Sequence, residues 1–531
     1  MSEEKNLPIG IQNFEKLRTS NCVYVDKTMF LWNLVKTSSP YFLSRPRRFG
    51  KSLFLSTLES YFLGKKDLFK GLAIEKLEED DAKRENRASW QVYPVFHIDF
   101  NAKKYTDVNS IQEVLNQYLE KWEAVYGDKK KNRSPEERFA YLIEEAHRQT
   151  GMQAVILVDE YDKPLLETLD APELLESNRK TLKAFFGVIK SYDAHIRFSF
   201  LTGVTKFAQV SIFSDLNNLL DISMQDSFNA ICGISETELV KNFKEEIKGL
   251  AKKNELTEKE CLAKLQQTYD GYHFYPFAEG MYNPFSLLNA FASGDFRYYW
   301  FQTGTPTFLI KGIEKNNFDI RQMVDGVTAP EDAFSEYRYD TGSVEPLLYQ
   351  SGYLTIKDYD KRFRSYTLKF PNDEVKYGFL YNLLPVATNV ESGKTGTYVE
   401  NFVKDVEKGN VDSFMQRLQS ILSSVPYSVY GNPREVTEQT FQTGVFLVFQ
   451  LMGQFTQAEV HTAKGRADCV VWIKDAIFVF EFKLNGTAEE AVAQIDDKQY
   501  AVPYKSDRRK VVKIGVGFEK GKALIKDWIV K

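Results

Sequence analysis

Tyr41-Phe42-Leu43-Ser44-Arg45-Pro46-Arg47-Arg48-Phe49-Gly50-Lys51-Ser52-Leu53 decides the reading of the first half of the chain. A short apolar strand, Tyr41 to Leu43, enters a turn that ends in Gly50-Lys51-Ser52, and an apolar helical stretch runs on from Leu53 to Phe62. Gly-Lys-Ser between a strand and a helix is the end of a phosphate-binding loop. Amides at the helix N-terminus face the phosphates, the lysine reaches the β and γ oxygens, and the serine hydroxyl takes Mg2+. Gly50, Lys51 and Ser52 are thus candidate ATP residues, with Arg47 and Arg48 either adding charge to a phosphate site or facing solvent. Arg45 stands where a full loop has its first glycine, so the motif alone is incomplete.

Its context completes it. Ala154 to Val158 is a buried β run that ends in Asp159-Glu160, the place where a nucleoside triphosphatase keeps its Mg2+-linked aspartate and its water-activating glutamate. Ile196 to Gly203 is a further strand with a polar end, where Thr202 is either a γ-phosphate sensor or a strand-end cap, and Lys206 is a lesser candidate. Val95 to Phe100 adds another strand, and helical patterns at Ile111–Tyr126, up to Gln149 and at about 172–192 alternate with the strands. This alternation predicts a parallel α/β sheet, with an extra strand between the phosphate loop and the Asp-Glu strand. The expected organisation is an ATPase core over 1–234, a helical lid over 235–294, a connector over 295–395 and a C-terminal α/β domain over 396–531.

A second site is written near the C-terminus. Asp468 opens the strand Cys469 to Ile473, and thirteen residues later Glu481-Phe482-Lys483 ends the apolar run that starts at Ala476. Alternate residues of a strand share a face, so Glu481 and Lys483 point one way and Phe482 the other. Two carboxylates at adjacent strand ends can hold a hard divalent cation, and a lysine beside them can steady a water or a phosphate oxygen. Gln494 and Tyr500, on the following helical segment, are expected to border the site. Either Glu438 or Glu459 is expected to complete the coordination, and His461 reads as structural. Ordinary surface charge on a half-exposed strand pair is the plainer reading of the same residues.

Composition narrows the class. A chain of 531 residues is too long for one core. Its apolar and charged fractions, 43% and 27%, are those of a folded globular protein. No run reaches the length of a membrane span, and the N-terminus lacks the form of a secretory signal, so a cytoplasmic protein is expected. The four cysteines lie apart without metal-binding spacing and read as reduced thiols, with no zinc. Net charge is −4, yet residues 461–531 carry 14 Lys+Arg against 10 Asp+Glu, a balance compatible with a phosphate-backbone partner.

Taken together, Arg-Pro-Arg-Arg-Phe-Gly-Lys-Ser (45–52), Val-Asp-Glu-Tyr-Asp-Lys-Pro (158–164), Leu-Thr-Gly-Val-Thr-Lys-Phe (201–207), Tyr-Asn-Pro-Phe-Ser (282–286) and Gly-Arg-Ala-Asp (465–468) with Glu-Phe-Lys (481–483) resemble a bacterial family. Its members join an AAA-ATPase-like domain to a C-terminal PD-(D/E)xK nuclease-superfamily domain. The resemblance implies Lys51, Ser52, Asp159 and Glu160 at an ATP·Mg2+ site and Asp468, Glu481 and Lys483 at a nuclease site. The expected function is an ATP-dependent or ATP-regulated, metal-dependent nuclease acting on DNA, with a homo-oligomer among the expected partners. The alternative is an ATP-switched binding or signalling protein whose nuclease-like domain only grips nucleic acid or a partner. A small-molecule kinase fits the length and the second acidic site poorly.

Overall fold

The computed structural model describes residues 5–37, 39–206, 212–213, 216, 218–303, 309, 313, 318, 320–334, 344–388, 390–422, 436–460, 468–483, 486–504, 506–519 and 525–531. The chain forms two compact units: Met1–Trp300 with Thr307–Asn316 and Asp325–Asn372, and Phe301–Pro306 with Asn317–Val324 and Asp373–Lys531.

The first unit is built on five parallel strands: β1 (Pro40–Ser44), β2 (Val95–Asp99), β3 (Ala154–Asp159), β4 (Ile196–Gly203) and β5 (Leu220–Asp221). Their order is β2-β3-β4-β1-β5, so β4 separates the phosphate-loop strand from the Asp159 strand, as the sequence predicts. β1 and β3 are buried along their whole length, which is why both read as unbroken apolar runs. Parallel pairing gathers the carboxyl ends of all strands on one edge, where ligands of open α/β sheets bind. Ser44 pairs with Gly203 and Asp99 with Asp159, which brings the polar strand ends into one row.

The lid expected after residue 234 is helical: Glu236–Asn242, Lys244–Lys253, Glu258–Tyr269 and Pro284–Ser293. Ser235 with Glu238, and Thr257 with Glu260, form reciprocal capping boxes that start two of these helices. Asn283 caps the fourth from its side chain, with Pro284 in the first turn. Leu239, Phe243, Ile247, Leu265 and Leu287 form their core. Beyond the third helix Asp270 is buried, and desolvation, reinforced by Glu236 and Glu279, pushes its carboxyl up to about 6. A three-stranded antiparallel sheet, β6 (Val327–Pro330), β7 (Thr355–Asp360) and β8 (Ser365–Lys369), follows in the order β6-β8-β7.

The second unit holds a mixed sheet of β9 (Gln457–Val460), β10 (Cys469–Trp472), β11 (Ala476–Lys483), β12 (Lys510–Phe518) and β13 (Ile525–Val530), in the order β13-β12-β11-β10-β9. The pair β11 and β12 is parallel, joined over the sheet by the helix Ala488–Asp497. Gly515 lets that helix come close: a Cβ there would stand 2.4 Å from the Ala488 carbonyl oxygen and 2.6 Å from Val492. Helices Thr395–Glu407, Val411–Leu422 and Val436–Met452 supply Phe402, Phe414 and Phe449, and the Phe414 and Phe449 rings meet Phe480 of β11 at 5.5 and 5.1 Å. Cys22, Cys232, Cys261 and Cys469 are free and buried.

Candidate functional site

In the first unit, the site lies at the carboxyl edge of the parallel sheet. Gly50 has φ 96° and caps the helix Lys51–Phe62, a backbone state that a side chain would strain. Arg45 explains why the loop lacks its first glycine. Its fully buried guanidinium donates to the carbonyls of Ser44, Ser223 and Phe228 at 2.9, 2.7 and 2.9 Å and lies 4.0 Å over the Phe274 ring. The loop is shaped by these bonds rather than by glycine freedom. Lys51 is buried behind it and donates from Nζ to the carbonyls of Arg45 and Pro46 at 2.8 and 3.1 Å. Ser52 is half-buried in the first helical turn. Arg48 stacks 3.7 Å over Phe285, at the start of the lid helix Pro284–Ser293, and the Arg47 carbonyl accepts from Trp300 Nε1 at 3.4 Å.

Asp159 ends β3, and its Oδ1 accepts from the Thr202 hydroxyl at 2.5 Å and from the Glu160 amide at 3.1 Å. Thr202 is fully buried, and its hydroxyl is turned to the aspartate. Glu160 has φ 51°, an uncommon state for a residue with a side chain and one found at functional sites. Burial raises its pKa, Lys51 opposes that rise, and Asp159 and Asp162 add to it. Lys206 is buried and ion-paired with Asp221 at 2.7 Å. A cavity of about 90 Å3 adjoins Gly50 and is lined by Val25, Leu53, Ile234, Pro284 and Leu288 among others.

Two acids at this edge escape the sequence reading. Asp162 is buried and accepts from the Thr205 amide and hydroxyl at 2.7 and 2.8 Å and from the Val204 amide, which ties the turn after β3 to the end of β4. Asp99 pairs with Asp159 in register, and its pKa is raised by burial and by that neighbour. The only signal for Asp99 was its place at the end of an apolar strand.

In the second unit, Cys469 pairs with Phe480 in the antiparallel ladder of β10 and β11, and extending that register by one residue sets Asp468 opposite Glu481. Opposed residues share a face. Asp468 Oδ2 accepts from the Phe482 amide at 2.8 Å, which fixes the carboxylate beside β11. Gln494, from the crossover helix, donates to Glu481 Oε1 and accepts from the Lys483 ammonium. Lys483 lies 3.4 Å from Glu481 Oε1, and Gln494 Nε2 lies 3.3 Å from the Tyr500 hydroxyl. The five residues therefore form one cluster. Glu481 is almost wholly buried; desolvation and the neighbouring Asp468 push its carboxyl up to about 7, against the pull of Lys483. Its Oε2 is buried with no hydrogen-bond partner. A buried carboxylate oxygen left orphaned opposite a second carboxylate fits a divalent cation. Among the described residues no group of three or more His, Cys, Asp or Glu could hold a metal ion. His461 and the side chains of Glu438 and Glu459 lie outside the described residues.

The comparisons with known proteins follow the same division. Residues 8–213 match a family model described as "Predicted AAA-ATPase", and residues 436–528 match the PD-(D/E)XK nuclease superfamily. A relative described as an uncharacterized protein in the vnfD 5′ region of Azotobacter chroococcum mcd 1 is 35% identical over 539 residues, 99% of each chain. The chain belongs to this AAA-ATPase-like family. The chain carries a P-loop α/β unit with a helical lid and a C-terminal PD-(D/E)XK nuclease-superfamily domain. Among solved structures, the ORC2 protein of Aeropyrum pernix (ADPNP–ADP complexes) is 10% identical with a TM-score of 0.21, covering 70% of this chain and 92% of that one. No helix among the described residues is long and apolar enough to cross a membrane.

Proposed function

We propose that the protein is a cytoplasmic ATP-dependent or ATP-regulated nuclease acting on DNA. The observation that carries this reading is Glu481, a buried carboxylate with one orphaned oxygen, in register with Asp468 and bonded through Gln494 to Lys483.

In the first unit, Lys51 would leave its loop carbonyls to meet the β and γ oxygens of ATP, with the amides at the Gly50 helix start around the phosphates. Glu160 would orient the attacking water, its carboxyl pushed above the ordinary range by burial and held back by Lys51. Thr202 and the Glu160 amide hold Asp159 toward the metal side, and Asp162 sets the turn in which Glu160 lies.

In the second unit, Asp468 and Glu481 would hold Mg2+, which when bound acidifies a water and offsets phosphate charge. Lys483 would steady that water or the scissile phosphate, and Gln494 sets the lysine against Glu481. We keep the proposed division into core (1–234), lid (235–294), connector (295–395) and nuclease-like domain (396–531).

ATP hydrolysis and Mg2+-dependent cleavage, measured with a panel of DNA and RNA substrates, test the reading. Cleavage lost in Glu481→Gln at unchanged stability supports it. DNA bound but never cleaved by the wild-type chain would move the protein to the binding-module alternative.

A further inference from the structure

Phe277 is a large apolar side chain that is 72% exposed and built into a conformation meant for glycine. The bridge between Tyr272 and Met281 closes a loop in which the Ala278 amide donates to the Tyr275 carbonyl at 3.3 Å, with Pro276 second in the turn and Phe277 third at φ 69°. Proline followed by a positive φ is the pattern of a type II turn, whose third position takes glycine or asparagine. The loop is held in shape besides: the His273 ring meets the Ala278 carbonyl through Nδ1 at 2.9 Å. A bulky residue kept in such a state costs stability, and the strain is a pointer to function.

The surroundings give its chemistry. The turn between β7 and β8 reads Lys361-Arg362-Phe363-Arg364 and is exposed throughout. Lys361 Nζ lies 5.6 Å over the Phe277 ring, and Arg362 lies 5.0 Å over the ring of Phe363, itself 67% exposed. Behind them opens a cavity of about 600 Å3, whose walls include Tyr275, Phe277, Tyr359 and Tyr366. Exposed rings flanked by cations present stacking platforms for unpaired bases beside charge for the phosphates, the combination used by single-strand binders. A duplex keeps its base faces stacked and cannot use them.

We propose that the Phe277 loop and the β7–β8 turn form a binding platform for single-stranded DNA, with bases stacked on Phe277 and Phe363 and the backbone met by Lys361 and Arg362. The proposal rests on the DNA reading of the chain and adds a contact in the first unit, on elements other than those that carry Asp468 and Glu481.

The test is fluorescence anisotropy of a labelled oligodeoxythymidylate with the full chain, in a chelator so that no cleavage intervenes. Phe277→Ala and Phe363→Ala should each weaken binding by about tenfold, and Phe277→Tyr should restore most of it. Lys361→Ala should flatten the salt dependence by roughly 0.7 in log–log slope. The variants should melt with the wild-type chain, because both rings are exposed. Wild-type affinity in both phenylalanine variants overturns the platform, as does tighter binding of duplex DNA, of an RNA of matching sequence or of an acidic peptide. Failure here leaves the nuclease reading intact if the wild-type chain still cleaves DNA. Conversely, a chain that never cleaves but loses single-strand binding in Phe277→Ala keeps the platform and loses the nuclease.

Discussion

A single carboxyl, Asp270, shows how burial and charge set the behaviour of a residue. Its folded pKa of about 6 stands above the ordinary 3.8 because burial disfavours the ion and Glu236 and Glu279 repel it. The folded state thus holds the proton that the unfolded chain releases. Stability is fully present below pH 3.8 and is lost as pH rises through about 6. Asp270→Asn should match the wild type in the acid range and exceed it by on the order of 2 kcal/mol above pH 6, read from thermal melts across pH. Equal pH profiles for the two proteins would show that the carboxyl is not desolvated. At the nucleotide site, Glu160→Gln should keep nucleotide affinity while slowing turnover by roughly a hundredfold or more, since only the orientation and deprotonation of water is removed. Hydrolysis at the wild-type rate would take the water-activating role away from Glu160.

Among elements, the crossover helix Ala488–Asp497 depends on a small residue beneath it. Gly515→Ala pushes a methyl into the Ala488 carbonyl and the Val492 side chain, which should cost about 1–3 kcal/mol. Because Gln494 rides on this helix, cleavage should fall further than the stability loss explains, as activity assays well below the melting temperature would show. Strands and helices of this kind were legible where one period ran long enough. β1 and β3 carry short unbroken apolar runs, while β4 is interrupted by Arg197 and Ser199 and is legible from Phe198, Phe200 and Leu201. β5 is two residues long and carries no period. β7 carries no clear strand signal, because Lys357, Asp358 and Asp360 interrupt its apolar pattern. The helix Asp373–Ala387 contains Pro385, which reads as a break. Asp468, Glu481, Lys483, Gln494 and Tyr500 were found together because β-strand alternation orders the first three, and Gln494 and Tyr500 follow on the crossover helix and the turn that ends it. Asp162 was not, because its partners, Val204 and Thr205, lie some forty residues away and nothing local distinguishes it from a surface acid.

For the whole molecule, the two sites make separable demands. Lys51→Ala should stop ATP hydrolysis and take DNA cleavage with it, whereas Glu481→Gln should stop cleavage and leave hydrolysis at the wild-type rate. Both activities are read on the same preparations, and cleavage that survives in Lys51→Ala would uncouple ATP from the nuclease. The four native thiols bear on how such coupling can be watched. All are buried, and desolvation raises the pKa of Cys232, Cys261 and Cys469, so few thiolates form in the folded protein. A cysteine introduced on an exposed turn would then be the fast-reacting thiol of the molecule. Dyes or spin labels could be attached at chosen points without first stripping the native sulfurs, so the chain comes ready for distance measurements through an ATP cycle.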